Sequence, residues 1–450
     1  MKTRVLLLLV LLGGTSAAKP AVKPAPAPPA APATPAHVSA LTHLASEVAS
    51  GIGTVPADTL VAVSAPTTDI PAPRGDELAV RVAALVASKL GGKAHPQAAS
   101  LAVARAAAGR AGSLVYVQLE IVKGALNATA DLYPVVSNGW ERLRNPAPGP
   151  KAHAFVASAL DAEIRTYLQP IVLEQASVHK AKLEEPDVVA IGCGDVDADG
   201  GLEIALATRS RVVLGKLRGG KLTIVRAAPW SQLAPRVPVP LREAVGSIVL
   251  APQVHPGELF VGTTDRGGVA VDALLALRRP LTGIPIPGAD GDACMAAEPA
   301  ANAFSSGIAC MPPPKGDPAT VVPPARFDAI AALSLVGKDG VVTDVTALRE
   351  PSGRVRLRRS DVAKELPLDG AGAQLALADL DLDGTAEIAV SGDLPEGDAL
   401  TVYSWRASGL VQRLKVPTKE PVRALAACPP EERGLPALVA IVGSEVWLVR

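Results

Sequence analysis

Aromatic residues are scarce in this chain: Phe, Tyr and Trp together make up 3% of its 450 residues. Any core must therefore be built from Val, Leu, Ile and Ala, and a ring-lined surface for stacking nucleic-acid bases has little to stand on. Excess charge is missing as well. Lys plus Arg number 44 and Asp plus Glu number 44, with no basic block among them. The electrostatic footprint of a nucleic-acid binder is absent, and no nucleic-acid partner is expected. Beyond the first residues no stretch of 18 apolar residues is free of charge, which argues against a membrane-spanning helix. The recognisable catalytic motifs are missing too: there is no Gly-rich phosphate loop, no HExxH and no G-x-S-x-G elbow. The six His (His37, His43, His95, His153, His179 and His255) lack metal-ligand spacing. The expectation from these absences is a protein that is not an enzyme.

What is present begins with the three parts of a secretory signal. Lys2 and Arg4 supply positive charge, Val5 to Leu12 an apolar run, and Thr15-Ser16-Ala17-Ala18 a small-residue cleavage zone. Such a run rises only about 12 Å as a helix, against a hydrocarbon core of about 30 Å, so removal rather than anchoring is expected. Residues 1–18 are read as a signal peptide, and a periplasmic or secreted location follows. Residues 19–40 carry KPAVKPAPAPPAAPATPA, a Pro/Ala tract that stays extended and serves as a linker.

Residues 41–168 read as an α/β domain. Leu60-Val61-Ala62-Val63 is a short buried-strand run, and Leu78, Val82, Leu85, Val86 and Leu90 recur at helical spacing after Asp76. A second helix is expected from Pro96 to Ala108. Val115, Val117, Leu119 and Ile121, then Leu126, Ala128, Ala130 and Leu132, alternate with polar residues on either side of Lys123-Gly124, the pattern of a hairpin with one wet face. Asn127-Ala128-Thr129 fits a glycosylation sequon, but that hairpin accounts for it better. A last helix is expected over Ala152 to Leu168. This order of elements resembles the small periplasmic domains of the TolB amino-terminal and FlgO type. The resemblance implies envelope assembly or partner docking.

From residue 169 onward, short β-type runs are separated by Gly, Pro and Asp clusters. Two segments align closely, each reading D-x-D-x-D-G-x-x-E between apolar strands. Calcium takes six to eight hard oxygen ligands, and acidic side chains at alternate positions of a tight loop converge on one point. In the first loop Asp195, Asp197 and Asp199 would supply side-chain oxygens, Gly201 a backbone carbonyl, and Glu203 the closing carboxylate. In the second the same roles fall to Asp379, Asp381, Asp383, Thr385 and Glu387. An EF-hand would need a twelve-residue loop between helices, which neither segment has. About two structural Ca2+ ions are expected.

These loops resemble the FG-GAP or VCBS-type repeat of integrin α-like propellers, although the Phe-Gly and Gly-Ala-Pro flanks of that family are absent. The resemblance implies a calcium loop joining two strands of a propeller blade. Repeats centre near Cys193, Leu250, Cys294, Ala332, Leu377 and Cys428, at separations fitting four-stranded blades. The expected fold is thus multidomain: an N-terminal α/β domain, then an all-β propeller of about six blades over residues 169–450, or seven if an N-terminal piece contributes one. The chain end offers only three strand candidates for its last blade, and a fourth would come from Ile171 to Leu183, closing the ring. Cys294 with Cys310, and Cys193 with Cys428, are candidate disulfides. Four Cys permit three pairings, and buried free thiols are the alternative.

The function expected is a non-enzymatic exported calcium-binding module or scaffold, with a protein or glycan partner. The alternative is a polysaccharide-acting hydrolase or lyase using the propeller axis.

Overall fold

The computed structural model describes residues 39–450 except 110, 123, 137–138, 146–147, 235–243, 252–253, 289–290, 297–298, 301–302, 306–307, 312–325, 338–340, 393, 395–396 and 431–434. The signal peptide and all but the last two residues of the linker read from the sequence lie outside the described residues.

The described chain opens with a helix, Ala40–Ile52, that the sequence reading did not anticipate. Ser39 caps it, its Oγ accepting the Thr42 amide at 3.3 Å, and Leu41, Leu44, Ala45, Val48 and Ile52 form its buried stripe. Helix Gly75–Leu90 carries Asp76 and Glu77 in its first turn and Lys89 in its last, matching the helix dipole, and ends at left-handed Gly91. Both helices pack their apolar stripes on a mixed sheet. Its order is Lys93–Ala94, Leu60–Val63, Ser113–Val122, Ala125–Pro134 and Ala152–Ala159, with Thr67–Thr68 pairing the third of these. Leu60–Val63 runs parallel to Ser113–Val122, and the next two pairings are antiparallel.

Two helix expectations need correction here. The helix expected from Pro96 is confined to Leu101–Ala107, capped by Ser100. The helix expected over Ala152 to Leu168 is instead an edge strand, Ala152–Ala159, followed by the short helix Ala162–Arg165. The run Ala-His-Ala-Phe-Val-Ala-Ser-Ala has enough alanine for a helix. Pairing with Ala125–Pro134 prevails because it supplies the hairpin with a third strand, including a His153–Asp131 contact of 2.8 Å across the ladder. Asp161 then joins the two ends of the domain. One carboxylate oxygen caps Ile164 and the other accepts the Ala40 amide, both at 2.9 Å.

The rest of the chain folds as a β-propeller, with six blades among the described residues. The innermost strands are Val188–Gly194, Gly246–Leu250, Ile284–Pro287, Ala329–Val336, Leu375–Ala378 and Val422–Cys428. Each opens an antiparallel blade, and each touches the next around the ring, with the last returning to the first. The approach is close: a Cβ on Gly192 would come within 2.5 Å of Ile248 Cγ2 in the neighbouring blade, so only glycine fits there. The sequence centres fall on the innermost strand in five blades. In the third, Cys294 belongs to the second strand, Ala293–Ala296, and the innermost strand is Ile-Pro-Ile-Pro. Pro285 and Pro287 make that run a poor strand candidate on sequence, yet an innermost strand has a free edge where a missing N–H is tolerated.

Closure uses the strand Val178–Lys182, which pairs antiparallel with Glu445–Val449 and completes the last blade. Ser177 and Arg450 exchange backbone hydrogen bonds of 2.6 and 3.0 Å beyond it. Between blades the cores are mostly small and aliphatic, as scarce aromatics require. Ala205, Ala207, Val212 and Leu214 of the first blade face Leu259, Val261, Val269 and Val271 of the second, with Trp230 beside them. The Trp230 Nε1 donates to the Thr208 carbonyl at 2.8 Å, which satisfies its buried N–H.

Candidate metal centre

The two acidic loops join the first and second strands of the first and fifth blades, and their backbones are near copies. Ala198 and Leu382 hold positive φ of 58° and 54°, followed two residues later by Gly200 and Gly384 at 81° and 79°. Non-glycine residues rarely adopt this conformation, so two loops sharing it share a specific turn. The hydrogen bonds repeat as well. Asp195 accepts the amides of Asp199 and Gly200 at 3.1 and 3.0 Å, and Asp379 accepts those of Asp383 and Gly384 at 2.9 Å each. Glu203 accepts the Val196 amide at 2.7 Å, and Glu387 that of Leu380 at 2.8 Å. The amides of Gly201 and Thr385 donate to Asp199 and Asp383, both at 2.9 Å. The sequence motif therefore encodes a turn whose acidic side chains bind its own backbone.

The loops differ in what faces their remaining oxygens. In the first, oxygens of Asp195, Asp197 and Asp199 lie within 4.8 Å of one another. Lys216, from the third strand of that blade, reaches into the group. Its Nζ lies 2.6 Å from Asp199 Oδ2, 2.6 Å from Glu203 Oε1 and 3.6 Å from Asp197 Oδ2. The contact with Glu203 is a close ion pair with a buried carboxylate. The hydrogen bond from Lys216 holds the Asp199 carboxyl below the usual carboxylate range.

In the second loop, oxygens of Asp379, Asp381 and Glu387 lie within 4.8 Å of one another. Asp381 is 7% exposed and Glu387 1%. Ser404, not a lysine, lies across the ladder from Glu387 and donates to it at 2.7 Å. Arg413 reaches Asp381 Oδ2 at 3.3 Å and Arg406 reaches Asp383 Oδ2 at 3.0 Å. Among the described residues no cation is hydrogen-bonded or ion-paired to Asp379 or Glu387, and Asp381 Oδ1 is buried without a hydrogen-bond partner. Burial pushes the Asp379 carboxyl up to about 7 and Glu387 up to about 8, with the neighbouring carboxylates adding to both. This concentration of buried negative charge fits a hard cation with oxygen ligands. Asp379, Asp381 and Glu387 would hold it, with Asp383 oriented by Arg406 at its side.

The α/β domain covers this second loop. A Cβ on Gly384 would stand 3.1 Å from the Ala162 Cβ, and Arg165 from the same short helix is buried. Nε and Nη1 of Arg165 have no hydrogen-bond partner, while Nη2 donates to the Gln169 carbonyl at 3.2 Å. Burial lowers the Arg165 pKa, and Asp381 and Asp379 oppose that shift. Sequence reasoning missed Lys216, Arg413, Arg406 and Arg165. The first three lie on strands outside the motif and the last in another domain, so motif spacing carries no signal for them.

The cysteines stand as follows. Cys193 and Cys428 form a disulfide between the innermost strands of the first and last blades. Cys294 is disulfide-bonded, and Cys310 is its partner position across the ladder.

A cavity of about 780 Å³ runs along the propeller axis, walled by innermost strands and lined mainly by Val, Ala, Ile and Leu. Its charged lining residues are Arg209, Asp328, Arg349 and Arg423, and Asp328 is paired with Arg349.

No family model matches the chain, and no curated protein does. Solved structures resembling it include a Thermus putative oxidoreductase described as a glucose dehydrogenase. That match has a TM-score of 0.37 at 13% identity and covers 61% of this chain and 100% of the other. The extracellular domains 1–2 of Drosophila Semaphorin 1a match at 0.35 and 12% identity, covering 60% of this chain and 87% of that one. The Dos1 propeller matches at 0.30 and 10% identity, covering 75% and 78%. Likenesses this distant say nothing about ligand or activity, and the propeller is established by the strand pairing itself.

Proposed function

We propose that this is an exported, non-enzymatic binding or scaffold protein whose propeller is stiffened by calcium in the second acidic loop. The observation that carries the calcium reading is the buried trio Asp379, Asp381 and Glu387, in which Asp381 Oδ1 has no hydrogen-bond partner. A buried carboxylate oxygen without a partner is costly, and an oxygen-seeking divalent cation removes that cost. Extracellular modules bind calcium at about 10⁻⁴–10⁻³ M, so the ion would be bound outside the cell and scarce inside it. Export rests on the N-terminal charge, apolar run and small-residue zone, and the partner is a protein or glycan met by the propeller face or the α/β domain. Among the described residues no helix is long and apolar enough to cross a membrane.

The axial cavity favours binding over polysaccharide cleavage. Glycoside hydrolysis uses two carboxyl groups flanking the scissile bond, whereas the described lining offers one, Asp328, already paired with Arg349. Calcium titration of the purified protein by calorimetry, with thermal unfolding in calcium and in chelator, tests the reading. Saturable uptake with a melting shift that disappears in Asp381→Asn supports it. No uptake and no shift would remove the calcium from the proposal.

A further inference from the structure

We infer that the first acidic loop takes no metal ion, because the Lys216 ammonium is its built-in cation. This rests on reading the second loop as a calcium site, since the comparison assumes that the shared turn can hold one. The ammonium contacts Asp199 and Glu203 at 2.6 Å each and lies 3.6 Å from Asp197. Those are three of the four carboxylates that the motif offers, and calcium would need oxygens from the same group at about 2.3–2.6 Å. The two cations would occupy overlapping space and repel each other.

Three further features mark the lysine as built in. Its side chain is only 13% exposed, and the carboxylate it meets from Glu203 is 4% exposed. The loop closes over it at Gly201, where an added Cβ would sit 3.6 Å from Nζ; the second loop has Thr385 at that position. The lysine also comes from the strand neighbouring Glu203. Gly215 pairs with Ile204, which brings Lys216 alongside Glu203, where the fifth blade pairs Ser404 with Glu387. One residue difference on the neighbouring strand thus separates a turn whose closing glutamate meets an ammonium from one whose closing glutamate meets a hydroxyl, the arginines of the second loop pairing with Asp381 and Asp383 instead. Its carboxylate partners, Asp199 first, raise the Lys216 pKa and so favour the charged ammonium.

The test counts ions per chain by calorimetric titration with calcium chloride, on the full chain and on Lys216→Ser and Asp381→Asn, with circular dichroism to confirm folding. The expected counts are one for the native chain, none for Asp381→Asn and two for Lys216→Ser. Two ions on the native chain, or one that survives Asp381→Asn, overturn the inference while leaving calcium binding intact. A folded Lys216→Ser variant with no added site also overturns it. No uptake by the native chain but one ion gained by Lys216→Ser sustains the lysine inference and rejects the second-loop reading. Asp381→Asn keeps Lys216 in place, so the inference can fail even if Lys216→Ser does not fold.

Discussion

The first and fifth blades carry the same nine-position acidic motif, the same pair of left-handed residues and the same backbone hydrogen bonds, yet their charge is compensated differently. The first loop is met by a lysine from its own blade, and its incoming strand carries Cys193, bridged to the last blade. The second keeps Asp379, Asp381 and Glu387 together under the α/β domain. The motif specifies a turn, and residues outside it decide what neutralises the turn. A D-x-D-x-D-G pattern is therefore weaker evidence for a metal ion than for a backbone shape.

The largest effect is expected from the covalent tie of the first loop. Cys193→Ser with Cys428→Ser opens a bridge spanning 235 residues. Chain-entropy reasoning gives a loss of up to about 5 kcal/mol. Denaturant unfolding under non-reducing conditions measures it, and the second loop's calcium uptake should persist wherever the variant is folded.

Next is Lys216→Met, which leaves the buried Glu203 without its cation. Breaking such a pair costs roughly 3 kcal/mol in chelator. Excess calcium should recover much of that loss if the vacated loop accepts the ion, and thermal unfolding with and without calcium reads both values. Lys216→Arg should lose less, since the charge remains.

The native chain should respond to pH through its second loop. Asp379 and Glu387 sit at about 7 and 8 in the metal-free fold, above their ordinary values of 3.8 and 4.5. The folded state therefore binds more protons than the unfolded chain between roughly pH 4 and 8, so metal-free stability falls as pH rises through that window. Calcium binding must displace those protons, so its affinity should rise over the same range. With calcium at about a hundred times its Kd, the ion adds about 2.7 kcal/mol, and the chelator difference in melting should widen from pH 5 to pH 8.

Much of this architecture is legible in the sequence, for reasons particular elements make plain. The hairpin Ser113–Val122 with Ala125–Pro134 alternates cleanly because one face is packed and the other is wetter. The innermost strands of five blades are short apolar runs ending at turns. The strand Val178–Lys182 could be sought because the last blade lacked a partner. The edge strand Ala152–Ala159 was hidden by its alanines, and Ile284–Pro287 by its prolines. The motif made both acidic loops visible, but their cations come from side chains brought near only by folding. Arg165 illustrates this best, since it lies in a different domain from the carboxylates it faces.

The smallest effect concerns that arginine. Arg165→Met removes a buried positive charge facing Asp379 and Asp381, which should tighten calcium binding by about fivefold, roughly 1 kcal/mol for one unit charge at a partly buried distance. Calorimetry reads the change, and an unaltered Kd would place Arg165 outside the ion's field.

The most direct measurement is an anomalous-scattering crystal structure of the protein grown in calcium. The account predicts one ion, bound by oxygens of Asp379, Asp381 and Glu387 at about 2.3–2.6 Å, with the Lys216 ammonium still between Asp199 and Glu203. An ion in the first loop with Lys216 displaced, or no ion in the second, would contradict it.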